Sequence, residues 1–447
     1  MNKRYLKYIL LFVYYYVCMI AVYFVFRMDT YNNYGFSYGI VTGSIPYKDF
    51  NPIVPLFGPF LYSTFLLFNH SILLFYLEQS VLLLVMDYLL FKILDEKAWI
   101  VIVMLFLPVI VPFAYCMFPG YNFLIIFELI LLLYFDKYNK SDKLVGLVSG
   151  ISVITKHNIG VFIFLVSLLF VVKDKKKLVT RFLYGIIPGI IFIIILLLYG
   201  NLYEFIDLCL LGVSDFIGNK NIDILPIMVV LISLMIMIIK FIKDQNKDIS
   251  YFYLLVYILV VFPIFDIYHI CLFLLFYIVV WLYNSDFTIK NKHLGLISFG
   301  LITVFINLYL LLSWNNYQKF EPYSYDNYEV VLLEKKEKKN IDQLNKYLKH
   351  KDYSIISDPS KTIFLLSSNN KKADNFLVLF RGNYGSKGKD KILKEIKIKK
   401  NYYFVVDTSI TCRGKKHCQY LEEIPEYVMK NLKLVKEIDY YKIYYKN

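Results

Sequence analysis

Cysteine is scarce in this chain of 447 residues, and the spacing of its six cysteines excludes the usual structural metal centres. Zinc sites of that kind need cysteines or histidines in pairs at short, repeated spacings, and the sequence has no such pattern. Only Cys412 and Cys418 lie close together. A disulfide between them would contribute roughly 2–3 kcal/mol. Two free thiols fit the sequence equally well, because oxidation depends on the compartment.

Acidic residues are outnumbered by basic ones, 35 against 49, which gives a formal charge of +14. In a soluble protein this excess would suggest nucleic acid as a partner. The composition, however, is 58% hydrophobic with a mean hydropathy of +0.53, whereas soluble domains are about 45–50% apolar. The lysines are better explained as loop residues that fix membrane topology, so nucleic acid is excluded as a partner.

The apolar segments predict an all-α polytopic membrane bundle of about 11 transmembrane helices. The first segment has no small-residue cleavage site before Arg27, so we interpret it as an uncleaved anchor. The predicted segments are approximately 5–26, 71–94, 98–116, 120–135, 143–156, 159–172, 182–200, 223–243, 250–263, 268–284 and 293–313.

The apolar segment 52–68 is not counted as a span. Without it, eighteen basic residues fall in cytoplasmic loops and four in outer loops. This positive-inside bias predicts a multi-pass protein of the cell membrane with a cytoplasmic N-terminus and an extracytoplasmic C-terminus.

The composition changes after Trp314, which predicts two domains. Residues 1–314 are expected to form the transmembrane domain, and residues 315–447 a small extracytoplasmic α/β domain. In the second domain, "KEKKNIDQLNKYLKHK" and "IPEYVMKNLK" have the pattern of helices. "YYFVVDTS" has the pattern of a buried strand, and "YYKIYYKN" that of a closing strand.

Three polar clusters fall on the predicted outer side. They are "RMDTYNNYGFSYGIVTGSIPYKDFNPIVP" at 27–55, "TKHNIG" at Thr155–Gly160, and "FPIFDIYH" at Phe262–His269. Ionisable groups near membrane depth cost a few kcal/mol, so each cluster is a functional hypothesis by default. Their common side predicts one cavity at the outer leaflet.

The first cluster also has a structural explanation. Asp29 is placed to cap a helix that carries Tyr31, Tyr34 and Tyr38 at helical spacing. Tyrosines at a membrane surface commonly form an aromatic belt. Capping and chemistry can coexist at Asp29.

The other clusters have structural explanations too. Lys156 and His157 can be ordinary residues of a short hairpin, and Asp266 and His269 can simply pair with each other. Three acidic residues inside predicted helices can be buried structural groups: Glu78, Asp87 and Glu128.

A carboxylate beside a lysine and histidines at the lipid boundary suits phosphate chemistry. The carboxylate can accept a proton from an attacking hydroxyl. Cationic or donor groups can hold a phosphate and stabilise it as a leaving group. A phosphate at the membrane surface that carries an apolar tail is a polyprenyl phosphate. The residues alone therefore indicate phosphate chemistry or anion binding at the outer leaflet.

The same residues resemble the GT-C superfamily of membrane glycosyltransferases, on the branch of the bacterial relatives of protein O-mannosyltransferases and aminoarabinose transferases (family 39-like). In those proteins an acidic residue follows the first span, and a Gly, a Pro-Tyr-x-Asp-Phe-like element and prolines come after it. The corresponding positions here are Asp29, Gly43, Pro46, Tyr47, Asp49, Phe50, Pro52 and Pro55. "GISVITKHNIG" resembles the lysine-containing hairpin of the family, and Asp266 with His269 its late Asp-x-x-His element. The resemblance covers about residues 1–314.

The resemblance implies a helical bundle with interfacial helices from the first outer loop. It implies transfer of a sugar, with inversion, from a polyprenyl-phosphate donor to a glycan, lipid or protein acceptor at the outer face of the membrane, in cell-envelope glycan or glycoconjugate synthesis. Asp29 would be the catalytic base, and Asp49 would orient the acceptor or share the acidic role. The implied donor-phosphate ligands are Lys156, His157 and His269. The other implied site residues are Arg27, Tyr47 and Asp266.

The sequence departs from the family pattern in two places. Thr30 stands where many members have a second acid, and Ile264 and Phe265 stand where many have an arginine. Lys156 or Arg27 would then have to hold the donor phosphate. No metal ligand is assigned, and a divalent metal stays open because the acidic residues could hold one.

Three other functions remain as alternatives. A lipid-linked oligosaccharide flippase or other transporter would have discontinuous helices in paired halves and polar groups near mid-membrane. A polysaccharide polymerase or ligase of another fold is a second alternative, and a scaffold that binds through its outer domain is a third. The lack of an internal repeat and the common side of the polar clusters favour the glycosyltransferase.

Overall fold

The computed structural model describes most of the chain. The described residues are 3–25, 28–95, 120–212, 224–243, 248–261, 267–284, 318–323, 331–357, 372–377, 379, 384–409 and 422–447. Their α-helices are α1 (Lys3–Val25), α2 (Met28–Val41), α3 (Phe57–Ser63), α4 (Ile72–Ile93), α5 (Tyr121–Lys137), α6 (Asp142–Thr155), α7 (His157–Leu169), α8 (Lys175–Tyr199), α9 (Leu202–Ile206), α10 (Ile224–Lys243), α11 (Ile249–Tyr257), α12 (Ile267–Tyr283), α13 (Lys335–Leu348), α14 (Lys389–Ile398) and α15 (Glu423–Asn431). Their strands are β1 (Phe320–Tyr323), β2 (Val331–Glu334), β3 (Tyr353–Ile356), β4 (Tyr402–Asp407), β5 (Lys433–Ile438) and β6 (Tyr441–Lys446).

The chain forms two compact units, each built from separate stretches of sequence. Unit 1 contains Met1–Thr30, Tyr76–Ile195 and Asn221–Asn315. Unit 2 contains Tyr31–Phe75, Leu196–Lys220 and Asn316–Asn447. The C-terminal stretch therefore shares its compact unit with the first predicted outer loop and with the stretch after α8.

The prediction of an all-α bundle of about 11 transmembrane helices is wrong. Among the described residues, two helices are long and apolar enough to cross a membrane, α4 and α8. The same part of the chain also contains a mixed four-stranded sheet. The predicted segments 98–116 and 293–313 lie outside the described residues.

Helix length explains part of the error. The predicted spans 120–135, 143–156 and 159–172 fold as α5, α6 and α7, which have 17, 14 and 13 residues. A 14-residue helix rises about 21 Å, which is less than the roughly 30 Å of a hydrocarbon core. Apolar content alone does not distinguish a spanning helix from a shorter apolar helix. The segment 52–68, which was not counted as a span, forms the seven-residue α3 and a 3-10 turn.

In unit 1, α6 and α7 form an antiparallel hairpin around one extended residue. Lys156 ends α6 and begins α7 with φ −150° and ψ 94°. Beyond this turn, Ser167 Oγ donates to Ser149 Oγ at 3.2 Å across the hairpin. At the far end, Arg181 of α8 donates to Asp142 Oδ1 at 2.7 Å and to the Ser167 carbonyl at 2.9 Å. The polar bonds fix the register of the three apolar helices.

In unit 2, the sheet has the order β3-β4-β6-β5, with β3 parallel to β4 and the other pairs antiparallel. Its core joins β4 to α14 and α15 through Phe404, Ile392, Ile396, Ile424 and Val428. The four elements predicted from the C-terminal sequence are confirmed as α13, α15, β4 and β6. Their short amphipathic or alternating patterns were sufficient because each element is complete within its own segment.

The helix predicted after the first segment is confirmed as α2, but Tyr34 and Tyr38 do not form a surface belt. Tyr34 and Tyr38 are buried, with 1% and 0% of their surface exposed. The Tyr34 hydroxyl donates to the His70 carbonyl, and the Tyr38 ring meets the His70 ring edge-on at 5.6 Å. These side chains hold α2 against the residues that precede α4, so they belong to the core of unit 2.

Candidate functional site

The turn after α2 holds Asp49 in a fixed position within unit 2. Gly43 has φ +78°, which an L side chain rarely adopts, and it lets the chain leave α2 sharply. The Ile45 amide donates to Asp49 Oδ2 at 2.7 Å. Tyr47 is fully buried, and its hydroxyl donates to the Val54 carbonyl at 2.8 Å. Tyr47 therefore acts as a structural anchor of the turn that carries Asp49.

Asp49 lies on the wall of a cleft of about 530 Å³, which we name the Asp49 cleft. Its polar lining includes Lys48, Asp49, Asp374, Asn375, Glu395 and Tyr402. The first two come from the turn after α2, and the others come from the C-terminal stretch. The volume is within the range of small-molecule sites.

Hydrogen bonds orient the acidic groups of the Asp49 cleft. Ser354 Oγ donates to Asp374 Oδ2 at 2.7 Å, and the Phe376 amide donates to Asp374 Oδ1 at 2.9 Å. Asn375 Nδ2 donates to Glu395 Oε2 at 3.0 Å. Carboxylates held in this way keep lone pairs for further donors, because each can accept about four hydrogen bonds.

Burial changes the acidity of two groups in the Asp49 cleft. It raises the pKa of Glu395 above its ordinary value near 4.5, while the Lys399 ammonium acts in the opposite direction. Burial, followed by the charge of Asp374, raises the pKa of Tyr402. Tyr402 therefore keeps its proton at neutral pH.

The predicted donor-phosphate residues Lys156 and His157 lie in unit 1, at the turn of the α6–α7 hairpin. Lys156 Nζ donates to Asn122 Oδ1 at 2.7 Å and lies 5.1 Å from the centre of the Tyr121 ring. Tyr121 and Asn122 are the first two residues of α5. The Lys156 ammonium thus joins the N-terminal ends of α5 and α7, neither of which has a side-chain cap.

His157 offers a hydrogen-bonding atom at the same turn. Its Nδ1 is buried and has no hydrogen-bond partner. An uncapped helix N-terminus favours anions because its amide groups and macrodipole are positive. The ammonium, the imidazole and the two helix ends together make this turn a candidate anion site.

A second bond ties the same hairpin to α5 one turn deeper. Thr155 Oγ1 donates to Glu128 Oε1 at 2.6 Å, and both residues are buried. Asn122 and Glu128 were not assigned to the site from the sequence. Asn122 pairs with Lys156 across 34 positions of sequence and between two helices, which no local pattern reveals.

The remaining predicted site residues are only partly described. Asp29 is the second residue of α2, and its backbone is helical. His269 lies in the first turn of α12 and is partly buried. Arg27 and Asp266 lie outside the described residues, as do Cys412 and Cys418.

The structure brings some predicted residues together and separates others by unit. Lys156 and His157 share one turn of unit 1, and Tyr47 and Asp49 share one turn of unit 2. Within the described ranges, no group of three or more His, Cys, Asp or Glu residues is arranged to hold a metal ion. In comparisons with known proteins, no family model matches the chain, and no curated protein or solved structure matches it either.

Proposed function

We propose that the chain is a membrane-bound, inverting glycosyltransferase that uses a polyprenyl-phosphate sugar as donor. The acceptor receives the sugar at the outer face of the cell membrane, in cell-envelope glycan synthesis. The observation that carries the proposal is the anion site at the α6–α7 turn, where Lys156 and His157 meet the uncapped start of α5.

The apolar helices around this turn support a lipid-linked ligand. Along α7, the exposed side chains after the turn are Val161, Phe162, Leu165 and Leu169. In α8, only 22% of the most apolar 18-residue window is buried, against 56% in α4. Exposed apolar surface of this extent suits hydrocarbon better than water. A phosphate held at the turn would have an apolar path for its tail directly beside it.

The composition of unit 2 supports the proposed topology. It brings together three stretches, Tyr31–Phe75, Leu196–Lys220 and Asn316–Asn447. Asn201 Nδ2 donates to the Pro46 carbonyl at 2.7 Å, and the Ser386 amide donates to Asp207 Oδ1 at 3.0 Å. Stretches that pack together must lie on one side of a membrane. The basic residues Lys3, Arg4 and Lys7 before the first apolar segment favour an outer location for the first of these stretches, and the other two would then lie outside with it.

The proposed reaction uses the residues as follows. The acceptor oxygen bonds to the anomeric carbon of the donor as the bond from that carbon to the phosphate oxygen breaks. The phosphate leaves with the bonding electron pair, and Lys156 stabilises its charge. Asp29 accepts the proton of the acceptor hydroxyl. Asp49, held by the Ile45 amide, orients the acceptor.

The test is turnover of a labelled polyprenyl-phosphate sugar by the purified full-length protein in detergent. Asp29→Asn preserves the size of the side chain but removes the proton acceptor. We expect it to bind donor normally and to lose about 10²–10⁴-fold in turnover. Asp390→Asn is the matched control, because Asp390 is exposed and is also the second residue of its helix.

Two results would overturn the proposal. The first is turnover near the wild-type rate in a folded Asp29→Asn protein, which would remove the catalytic assignment. The second is donor binding without any transfer by the wild-type protein, combined with movement of the donor across vesicles. That result would replace the glycosyltransferase with a flippase.

A further inference from the structure

We propose that the Asp49 cleft is the acceptor subsite and that it binds a hydroxyl-rich, non-anionic sugar. This inference rests on the proposed function and deepens it, because it gives the C-terminal stretch a role and names the chemical class of the acceptor.

The lining of the Asp49 cleft is rich in acceptors that are already oriented. Asp374 receives Ser354 Oγ at 2.7 Å, and Glu395 receives Asn375 Nδ2 at 3.0 Å. Asp49 receives the Ile45 amide on Oδ2 only, at 2.7 Å. Groups fixed by the protein lose little conformational freedom on binding. They match a ligand that carries several hydroxyl donors.

Asn375 adds a second observation. Its Oδ1 is buried and has no hydrogen-bond partner, although its Nδ2 donates to Glu395. A buried acceptor without a donor is unfavourable by an amount comparable to a lost hydrogen bond. Asn375 lines the cleft, so a ligand hydroxyl is a natural donor for this atom.

An aromatic residue completes the lining. Tyr402 shares a 3.0 Å hydrogen bond with Ser354, and the Lys399 ammonium lies 3.9 Å from the centre of its ring. These contacts hold the Tyr402 ring on the wall of the cleft. A fixed aromatic wall beside oriented carboxylates and an amide presents both apolar and polar surface, as a sugar does.

Three carboxylates in the lining disfavour anionic ligands. Asp49, Asp374 and Glu395 repel a carboxylate or phosphate. The opposing charges are on Lys48 and Lys372, which are exposed, and on Lys399, whose ammonium lies 3.5 Å from Glu395 Oε1. In the part of the chain that the structure describes, no group of three or more His, Cys, Asp or Glu residues is arranged to hold a metal ion. Neutral hydroxyl groups remain as the partners that fit.

Within unit 2, the turn after α2 and the stretch that carries Asp374 are packed directly together. Ser44 Oγ donates to the Ala373 carbonyl at 3.1 Å, in a buried contact between the turn after α2 and the stretch that carries Asp374. A Cβ on Gly39 would lie 3.2 Å from the Ala373 Cβ, so α2 and this stretch pack closely. These contacts hold Asp49 and Asp374 in the same wall of the Asp49 cleft.

The experiment measures direct binding in the absence of donor. Full-length protein in detergent is titrated with maltotriose, mannotriose and chitotriose, and saturation-transfer NMR reports Kd. We expect saturable binding of at least one of these neutral probes and weaker binding of trigalacturonate. Glu395→Gln and Asp49→Asn should each raise Kd about tenfold or more, because each removes a charged hydrogen-bond acceptor.

Glu437→Gln is the matched control. Glu437 lies on β5, at the opposite edge of the sheet from β3, and its change should leave Kd unaltered. Thermal unfolding verifies that each variant is folded, and Asp49→Asn carries the test if Glu395→Gln does not fold. Absence of saturable binding of all neutral probes, or an unchanged Kd in both cleft variants, would overturn the proposal.

The outcomes separate this inference from the proposed function. Sugar binding that is lost in the cleft variants, without any turnover of lipid-linked donor, would keep the subsite and remove the glycosyltransferase. Donor turnover without sugar binding in the cleft would keep the glycosyltransferase and remove the acceptor subsite.

Discussion

At the scale of single residues, Lys156 shows how a structural contact and a binding role can be combined. Its ammonium donates to Asn122 Oδ1 at 2.7 Å and lies 5.1 Å from the centre of the Tyr121 ring. A lysine fixed in this way is positioned before a phosphate arrives, which limits the entropy lost on binding.

Lys156→Met should therefore weaken binding of polyprenyl phosphate. Losing a charged hydrogen bond costs about 1.5–3 kcal/mol, which corresponds to about 10–100-fold in Kd. Lys143→Met is the control, because Lys143 lies 5.3 Å from the Tyr184 ring at the other end of α6. An unchanged Kd for Lys156→Met would leave Lys156 with only the structural role of joining α5 to the hairpin.

Glu395 predicts a pH dependence of stability. Burial raises its pKa in the folded state above the ordinary value near 4.5, and the charge of Asp374 adds to this, despite the opposing Lys399. The folded state then binds the proton more tightly than the unfolded state, so the free energy of unfolding should fall as pH rises from about 4.5 through the raised pKa.

Glu395→Gln should remove this contribution to the pH dependence of the free energy of unfolding, because glutamine does not titrate. Thermal unfolding of the wild type and the variant across pH 4–8 measures the difference. The same slope in Glu395→Gln as in the wild type would show that other groups dominate the titration.

At the scale of secondary-structure elements, glycines set how closely α6, α7 and α8 pack. A Cβ on Gly150 of α6 would lie 2.0 Å from the Gly185 carbonyl oxygen of α8, and one on Gly146 would lie 2.5 Å from the Arg181 carbonyl oxygen. A Cβ on Gly160 of α7 would lie 2.0 Å from the Ser152 carbonyl oxygen. Gly146 and Gly150 are four residues apart, the small-xxx-small spacing that lets helix backbones touch.

Gly150→Ala should therefore destabilise unit 1. The added methyl group meets backbone that cannot turn away, and overpacking of this kind costs about 1–3 kcal/mol. Gly189→Ala in α8 is the control, because its Cβ would meet nothing within 4 Å and alanine favours a helix by about 1 kcal/mol. Thermal unfolding in detergent should show a lower Tm for Gly150→Ala only. Equal Tm values for the two variants would mean that α6 and α8 can move apart to accommodate the added methyl group at little cost.

These elements also show what sequence reasoning could and could not predict. The helix α13 and the strand β4 follow from patterns within 6 to 14 residues, so they were found. The "GLVSG" spacing was visible in the sequence, but its partner backbone in α8 was not. The sequence correctly predicted that Tyr34 and Tyr38 lie on a helix. It could not show that they are buried, because their contacts include His70, which lies outside that helix.

The residues of the candidate sites were also only partly predictable from the sequence. The lysine and histidine of the α6–α7 turn were identified because charged residues are unusual between apolar segments. Asp374, Asn375 and Glu395 were missed because nothing in a lysine-rich polar stretch distinguishes residues that line a cleft. Their association with Asp49 joins residues more than 300 positions apart, and only the folded unit 2 brings them together.

At the scale of the whole molecule, the composition of unit 2 constrains any membrane topology. Its three stretches contact one another through buried and partly buried hydrogen bonds, so a membrane cannot lie between them. The positive-inside bias before the first apolar segment predicts that the first loop is outside, and the other two stretches would then lie outside with it. One experiment can test this prediction at three positions.

We expect single cysteines placed in these three stretches to react alike in intact cells. Lys48→Cys, Tyr203→Cys and Lys430→Cys are at exposed positions, one in each stretch, and each should be labelled by a membrane-impermeant maleimide. Lys176→Cys lies at the exposed start of α8, where the positive-inside bias predicts the cytoplasm, so it should be labelled only after permeabilisation. The unsubstituted chain gives the background from its six native cysteines.

Labelling of one of the three positions but not the others would contradict the grouping of the three stretches in unit 2. Uniform labelling of the three only after permeabilisation would keep unit 2 and reverse the topology, and with it the proposal that transfer occurs at the outer face.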